Sequence, residues 1–194
     1  MSSPRTTTLN LPPPLAVEGT ASADGRVRVL FDRHFDFIGR VLRNLGVVEA
    51  ELDDLLQLVF CTAARRLSDI AEGSERAFLV QTAVNCAANA RRARARSPEV
   101  GLAVLPELAD EGPSPEDLTD RKRAAAVLDR LLGTMDLELR TVFVLFEIEQ
   151  LSRAEIAELL ALAPGTVASR LRRAREDFER RLYRWRRAAE EWTP

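Results

Sequence analysis

Cysteine and histidine are scarce in this sequence: its 194 residues include two cysteines, Cys61 and Cys86, and one histidine, His34. A structural zinc site needs four Cys or His ligands at short recurring spacings, and a disulfide framework needs several patterned cysteines. Neither can be assembled from these residues. We therefore predict no metal site and no cofactor, and we interpret both cysteines as small buried apolar residues.

Long apolar runs are also missing. The longest unbroken run of large apolar residues, "VFVLF" at 142–146, is far too short to span a membrane, and the first 25 residues contain no apolar stretch of signal-peptide length. We therefore predict a cytoplasmic protein without membrane insertion. Residues 1–25 are rich in Pro, Ser and Thr, a composition that predicts a disordered tail.

No stretch shows the sustained alternation of β-branched residues that marks strands. Apolar residues recur instead every three to four positions, which is the period of an amphipathic helix. The sequence therefore predicts an all-α protein, with helices at 27–45, 49–67, 76–97, 121–132, 137–148, 152–161 and 165–187.

Charge is distributed unevenly along the chain. Residues 25–97 and 121–194 each carry a net charge of +3, whereas residues 98–120 carry seven acids, no basic residue and four prolines. An acidic, proline-bearing segment between two basic helical sets is typical of a linker. We predict two small helical domains, 26–97 and 120–187, joined by a flexible linker at 98–119 and followed by a tail at 188–194.

One stretch, "LSRAEIAELLALAPGTVASRLRRAR" from Leu151, predicts a helix, a tight turn at Pro164-Gly165 and a second helix. Two helices joined in this way form a helix-turn-helix, whose second helix fits the DNA major groove. Gly165-Thr166 would offer a hydroxyl and free backbone N–H groups to a phosphate. We expect an inner face of Ile156, Leu159, Leu160, Val167, Leu171, Ala174 and Phe178, and an outer face of Ala168, Ser169, Arg172, Arg173 and Glu176.

An arginine-rich face does not by itself identify a DNA-binding helix. Arginine supplies 27 of the 28 basic residues, so this face is also compatible with an ordinary helical hairpin exposed to solvent. The neighbouring sequence decides between them, because "LRTVFVLFEIEQLSRAEIAELLALAPGTVASRLRRAREDFERRL" resembles region 4 of the bacterial sigma-70 family. "LFDRHFDFIGRVLRNLG", "DDLLQLVF" and "FLVQTAVNCAANARR", within residues 26–96, resemble region 2 of the same family.

The resemblance is closest to the two-domain group IV, or extracytoplasmic-function (ECF), sigma factors. It implies a protein that brings RNA polymerase core to promoters. The first domain would bind the β′ clamp helices, recognise the −10 element and open it, with the loop Ser68–Glu75 forming a pocket for a flipped base. The second would read the −35 element beside the β flap. Strand opening is driven by binding energy, so no enzymatic activity is implied.

The resemblance also assigns candidate residues, position by position. Core polymerase binding falls to Asp53, Asp54 and Gln57. Contacts with −10 DNA fall to Asn85, Asn89, Arg91, Arg92 and Arg94, with Arg96 as a further phosphate contact. Contacts with −35 DNA fall to Thr166, Ser169, Arg170, Arg172 and Arg173. A protein partner, an anti-sigma factor, is a further expectation.

Four positions depart from the family pattern. Leu58 stands where an acidic residue is usual, Phe78 where Trp is frequent, and Ala168 where Lys or Arg is frequent. Ala161 replaces the common turn glycine, at a cost of ~1 kcal/mol if that position has a left-handed backbone. Two other functions stay open from the residues alone: a helix-turn-helix regulator that works without polymerase core, and a helical adaptor that binds only protein.

Overall fold

The computed structural model describes residues 20–96 and 120–191. The segments 1–19, 97–119 and 192–194 lie outside it, so most of the predicted N-terminal tail and the predicted linker fall outside the described residues. Within those two ranges the chain forms helices and turns and no strand, which confirms the prediction of an all-α fold.

Three helices make up the N-terminal half: α1 (Thr20–Asn44), α2 (Glu49–Arg65) and α3 (Glu75–Arg96). Each buries one stripe of apolar residues against the other two, as the helical period predicts. α1 begins at Thr20, so the predicted tail 1–25 is wrong at its C-terminal end. The segment from Thr20 to Asp24 has no proline and includes Ala21 and Ala23, which extend the helix readily.

The C-terminal half contains α4 (Asp120–Gly133), α5 (Leu137–Phe143), α6 (Arg153–Leu160) and α7 (Pro164–Glu191). α5 continues directly into a π-helical turn, Val144–Ile148, where the Glu149 amide donates to the Val144 carbonyl across 2.9 Å. α7 extends to Glu191, four residues beyond the predicted helix end at 187. Ala, Glu and Arg occupy residues 186–191, and they are good helix formers.

The apolar run 142–145 is buried on all sides because it serves two cores. Val142 and Leu145 belong to a large cluster that includes residues of α1, α2, α3, α6 and α7. Phe143 and Val144 belong to a smaller cluster within the C-terminal half, together with Leu132, Met135 and Ala174. The α5 segment and its π turn therefore form the wall between these two cores.

The two halves are in contact in this structure. α6 packs against α3, and α1 contacts the π turn. Polar bonds cross the same junction: Arg40 pairs with Glu149, the Gln81 side chain donates to the Leu159 carbonyl, and Arg140 donates to the Asn44 carbonyl. Whether each half folds by itself, as the sequence predicts, stays a prediction.

Gly46, between α1 and α2, is the glycine that this junction requires. Its φ of +89° is a left-handed conformation that favours glycine. A Cβ on Gly46 would also lie 2.7 Å from Nη1 of Arg140. The turn therefore depends on glycine both for its backbone and for the space that the guanidinium occupies.

Candidate nucleic-acid interface

The predicted helix-turn-helix consists of α6 and α7. Ser152 caps α6 through a capping box, in which its hydroxyl accepts from the Glu155 amide and its own amide donates to the Glu155 carboxylate. Ala161 ends α6 at φ 52° and ψ 45°, the left-handed conformation on which the expected cost depended. Pro164 then occupies the first position of α7, where its missing N–H costs no helical hydrogen bond.

The second helix has the two faces that the sequence predicts. Val167, Leu171 and Ala174 are buried, whereas Ser169, Arg172, Arg173 and Glu176 are exposed. Nη1 of Arg172 pairs with Oε1 of Glu176 at 2.6 Å. Arg173 forms no hydrogen bond or ion pair with any residue in the described ranges, so its guanidinium is available to a ligand. The predicted −35 face is thus presented to solvent.

Thr166 and Arg170 lie differently from that outer face. The Thr166 amide donates to the Ala163 carbonyl at 2.9 Å, so the expectation of a free backbone N–H at Thr166 is wrong and only its hydroxyl remains for a phosphate. Arg170 forms an ion pair with Glu138 of α5, which turns its guanidinium toward the junction between the halves.

A surface cleft of about 300 Å³ lies beside the outer face, and residues from α6 and α7 line it. Ala168 and Leu171 form its floor, and Arg153, Arg172 and Arg175 supply three guanidinium groups. Nε of Arg175 lies 2.6 Å from Oε1 of Glu147, and its guanidinium covers the Phe146 ring at 5.0 Å. The sequence pattern did not predict Arg153 or Arg175 at this surface. The position of Arg153 was an indication in the sequence, because it lies in the first turn of α6, where a cation opposes the helix dipole.

The basic end of α3 divides into an outer and an inner pair of arginines. Arg92 and Arg96 are exposed, and Arg92 donates to the exposed side chain of Asn89 at 2.6 Å. Arg91 donates to the Met135 carbonyl in the C-terminal half at 3.2 Å, and Arg94 donates to the Gly46 carbonyl at 2.8 Å. Arg92 and Arg96 thus bond only to neighbouring residues of α3 and remain exposed, with Nε of Arg96 donating to the Arg92 carbonyl at 3.3 Å, whereas Arg91 and Arg94 bond to backbone groups at the junction.

Asn85, the candidate −10 reader, lies on an exposed part of α3 that faces the other half. It lines a cavity of about 450 Å³ together with Gln81, Val84, Ala88, Leu137, Glu138, Thr141, Leu160, Leu162 and Arg170. A −10 candidate and a −35 candidate, Asn85 and Arg170, therefore share one cavity. Asn85 is nevertheless exposed to solvent in this arrangement.

The loop expected to hold a flipped base forms part of a second cleft, of about 340 Å³. Asp69 and Ser74 of the loop and Phe78 of α3 line it, and Glu158 of α6 lies opposite them. Phe78 is itself covered by Arg66, whose guanidinium lies 5.5 Å from the ring centre. The C-terminal half therefore also contributes to this cleft.

The predicted polymerase-binding residues share the exposed face of α2. Asp53, Asp54 and Gln57 are exposed, as is Leu58, with 48% of its surface accessible. The expectation that Cys61 is buried is wrong, because it lies one turn beyond Gln57 on this solvent face; Cys86 is buried as expected. The face thus combines two acids and an amide with one exposed leucine.

Residues 20–96 and 120–191 contain no group of three or more Cys, His, Asp or Glu side chains placed to hold a metal ion. None of their helices has the length and apolar character needed to cross a membrane.

This chain is similar to a known protein family, to proteins of related sequence and to a solved structure. The family "Sigma-70, region 4" matches residues 125–178. The RNA polymerase sigma factor CnrH of Cupriavidus metallidurans is 30% identical over 168 residues, which are 82% of this chain and 86% of CnrH. This chain belongs to the ECF sigma factors of the sigma-70 family.

The ECF RNA polymerase sigma factor SigE of Mycolicibacterium smegmatis is 30% identical over 153 residues. That alignment covers 77% of this sigma factor and 58% of SigE, so this chain spans less than two thirds of that relative. A solved structure of CnrH in complex with the cytosolic domain of CnrY has the same fold, with a TM-score of 0.63, 24% identity, and coverage of 84% of this chain and 94% of CnrH. As a sigma factor, this protein acts in transcription initiation with RNA polymerase, which sets aside the regulator and adaptor alternatives.

Proposed function

We propose that this ECF sigma factor binds RNA polymerase core through α2 and carries it to promoters, with α3 engaging the −10 element and α7 the −35 element. The observation that carries the proposal is the solvent-facing set on α7, Ser169, Arg172 and Arg173, above a buried stripe of the same helix. A helix seated by one face on a rigid support can place its other face in a major groove. Arginine suits that role because its planar fork bonds two acceptors of guanine at once.

Promoter opening follows from the second DNA-binding surface. The exposed amide of Asn85 can bond the edge of an unstacked base, and Arg92 and Arg96 can bind the neighbouring phosphates. Such contacts favour the separated strand over the duplex, so binding energy opens the −10 element without a catalytic residue. We therefore propose a non-enzymatic, cytoplasmic initiation factor.

Core binding is proposed for the exposed face of α2, with Asp53, Asp54 and Gln57 against the β′ clamp helices and the C-terminal half beside the β flap. Leu58 adds an apolar contact where the family usually has an acid. A protein partner is proposed as well, because the relative CnrH was solved in complex with the cytosolic domain of CnrY. For this chain, that partner would be an anti-sigma factor.

The test is transcription in vitro with purified core polymerase on a library of genomic fragments. Core with this protein should give transcripts from discrete start sites that core alone does not give. Absence of such transcripts, with a protein that pulls down core normally, would contradict the proposed function.

Core binding is tested by pull-down with two variants of α2. Asp54→Arg and Gln57→Ala should each weaken retention of core without unfolding the chain, because both side chains are exposed. Asp36→Arg makes the same charge change on an exposed position of α1 and should retain core normally. Equal retention by both α2 variants and the control would place the polymerase contact elsewhere.

A further inference from the structure

The cleft beside α7 has an apolar floor at a position where the sigma-70 pattern frequently has a cation. Ala168 lies in this floor, at the position where Lys or Arg is frequent. Leu171, three residues later and only 4% exposed, lies beside it. Neither side chain has a hydrogen-bonding group. The floor of this cleft of about 300 Å³ is therefore open and apolar, where a lysine or arginine would place a charge.

Charged side chains surround the apolar floor. Arg153, Arg172 and Arg175 contribute guanidinium groups, and Glu176 and Glu179 contribute carboxylates. Arg172 pairs with Glu176. Arg153 forms no hydrogen bond or ion pair with any residue that the structure describes, and its place in the first turn of α6 opposes the helix dipole. A phosphate would relieve that unfavourable position, so the cleft suits a polyanion that also offers an apolar group.

The DNA major groove offers an apolar group at one base only. Thymine presents its C5-methyl group there, whereas the other three bases present hydrogen-bond donors and acceptors without a methyl. Alanine is one of the side chains that contact this methyl. Ala168 is the fifth residue of α7, in the N-terminal part of the helix, and this is the part of a recognition helix that faces the base edges. The floor of the cleft therefore fits a thymine.

Arg172 indicates where that thymine should lie. Ala168 and Arg172 are four residues apart, so they share one side of α7 and lie about 6 Å apart along its axis. Base pairs along the duplex are separated by about 3.4 Å. The thymine should therefore lie within about two base pairs of the base pair that Arg172 is expected to read.

We propose that Ala168 is a specificity-determining residue of this sigma factor, and that its methyl group, together with Leu171, receives the C5-methyl of one thymine in the −35 element. The inference rests on the proposed role of α7 in −35 binding and specifies a base that this helix reads without a hydrogen bond. A lysine or arginine at this position would bind phosphate on any sequence. The alanine therefore replaces a contact that is independent of sequence with one that depends on thymine.

The experiment removes and restores single methyl groups in the DNA. Reconstituted holoenzyme is bound to promoters selected from the −35 library, and each thymine of the element is replaced in turn by deoxyuridine, which lacks only the C5-methyl. At one position near the base pair read by Arg172, this replacement should weaken binding about fourfold, as expected for one buried methyl group. At the same position 5-methylcytosine should bind about fourfold better than cytosine.

Two variants connect the methyl effect to Ala168. Ala168→Gly removes the alanine methyl and Ala168→Arg covers the floor with a cation, so each should abolish the preference for thymine over deoxyuridine. Ala168→Arg should also increase the salt slope of binding by about 1, because it adds a phosphate contact. Ala154→Gly makes the same change at an exposed helical position outside the cleft and should keep the preference. Circular dichroism checks that the helices are retained, and Ala168→Ser is measured if the glycine variant loses them.

The outcomes separate the inference from the proposed function. Equal binding of thymine and deoxyuridine at every position, or a library that selects no thymine near the base pair read by Arg172, would overturn the inference. A thymine preference that persists in the Ala168 variants would also overturn it, because another residue would then read the methyl. Each of these results leaves the proposed function standing if binding still depends on the −35 sequence. Equal binding of native and scrambled −35 elements would instead count against the proposed function, and the inference would fail with it.

Discussion

Loss of Arg173 should weaken the binding of the holoenzyme to promoters selectively, through one base position of the −35 element. The guanidinium is exposed and has no partner in the described part of the chain, so binding DNA requires no existing bond to break. A bidentate contact with guanine is worth about 1–3 kcal/mol of discrimination against the wrong base. Arg173→Ala should therefore cost about that amount on the preferred sequence and much less on promoters already mismatched there.

Arg172→Ala and Arg170→Ala provide two comparisons for the loss expected from Arg173→Ala. Arg172 has to leave Glu176, but an exposed pair at this spacing contributes only about 0.3–0.5 kcal/mol, which is small beside a base contact. Arg172→Ala should thus resemble Arg173→Ala, at a different base. Arg170 is paired with Glu138 near the junction, so it can reach only a phosphate and only after that pair breaks. Arg170→Ala should weaken all sequences alike and reduce the salt slope of binding by about 1.

The assay is binding of the reconstituted holoenzyme to a library of promoters varied across the −35 element, at two salt concentrations. The matched control is Arg180→Ala, an exposed arginine farther along α7 whose partner is Asp177. It should bind every promoter as the native protein does. Uniform losses across the library for Arg170, Arg172 and Arg173 alike would reduce α7 to an electrostatic patch and refute direct base reading.

The other predictions concern the backbone and the linker. Ala161→Gly should raise the free energy of unfolding by about 1 kcal/mol, or about 2–4 °C in Tm, because it relieves a left-handed alanine; Ala154→Gly, in ordinary helix, should lower it in the same denaturant titration. Gly46→Ala should lower the free energy of unfolding by at least about 1 kcal/mol, because its φ is left-handed and a Cβ would meet Arg140. Gly25→Ala meets no neighbour and should not lower it. Equal effects of the two substitutions would contradict this reasoning. Limited proteolysis should cut first within 98–119, and cleavage first inside the N-terminal helices would refute the two-domain interpretation.

Much of the helix-turn-helix could be predicted because its local patterns agree with one another. The apolar spacing of Val167, Leu171 and Ala174 fixes which face of α7 is inside, and the proline and glycine mark where the helix starts. The predicted limits of α2, α3, α4 and α6 agree with the structure to within two residues. The prediction was less accurate at α1, which begins at Thr20 and continues through Gly25, and at the end of α7.

The roles of the α3 arginines could not be read from the sequence in the same way. Arg91, Arg92, Arg94 and Arg96 form one basic run, and helical phase separates them into faces without saying which face another element covers. That depends on where α5 and the α1–α2 turn lie, which is set by contacts between residues more than 40 positions apart. Buried Arg140 was missed for the same reason, although burial lowers its pKa to about 10 and it therefore remains charged at neutral pH.

The apolar run that divides the two cores gives neighbouring positions of the sequence different packing constraints. Val142 and Leu145 belong to the cluster shared with the N-terminal half, and Phe143 and Val144 to the cluster that the C-terminal half keeps for itself. Adjacent codons thus act on different cores: changes at the first pair alter the core that the helix-turn-helix shares with the N-terminal half, and changes at the second pair alter the packing between α4, α5 and α7.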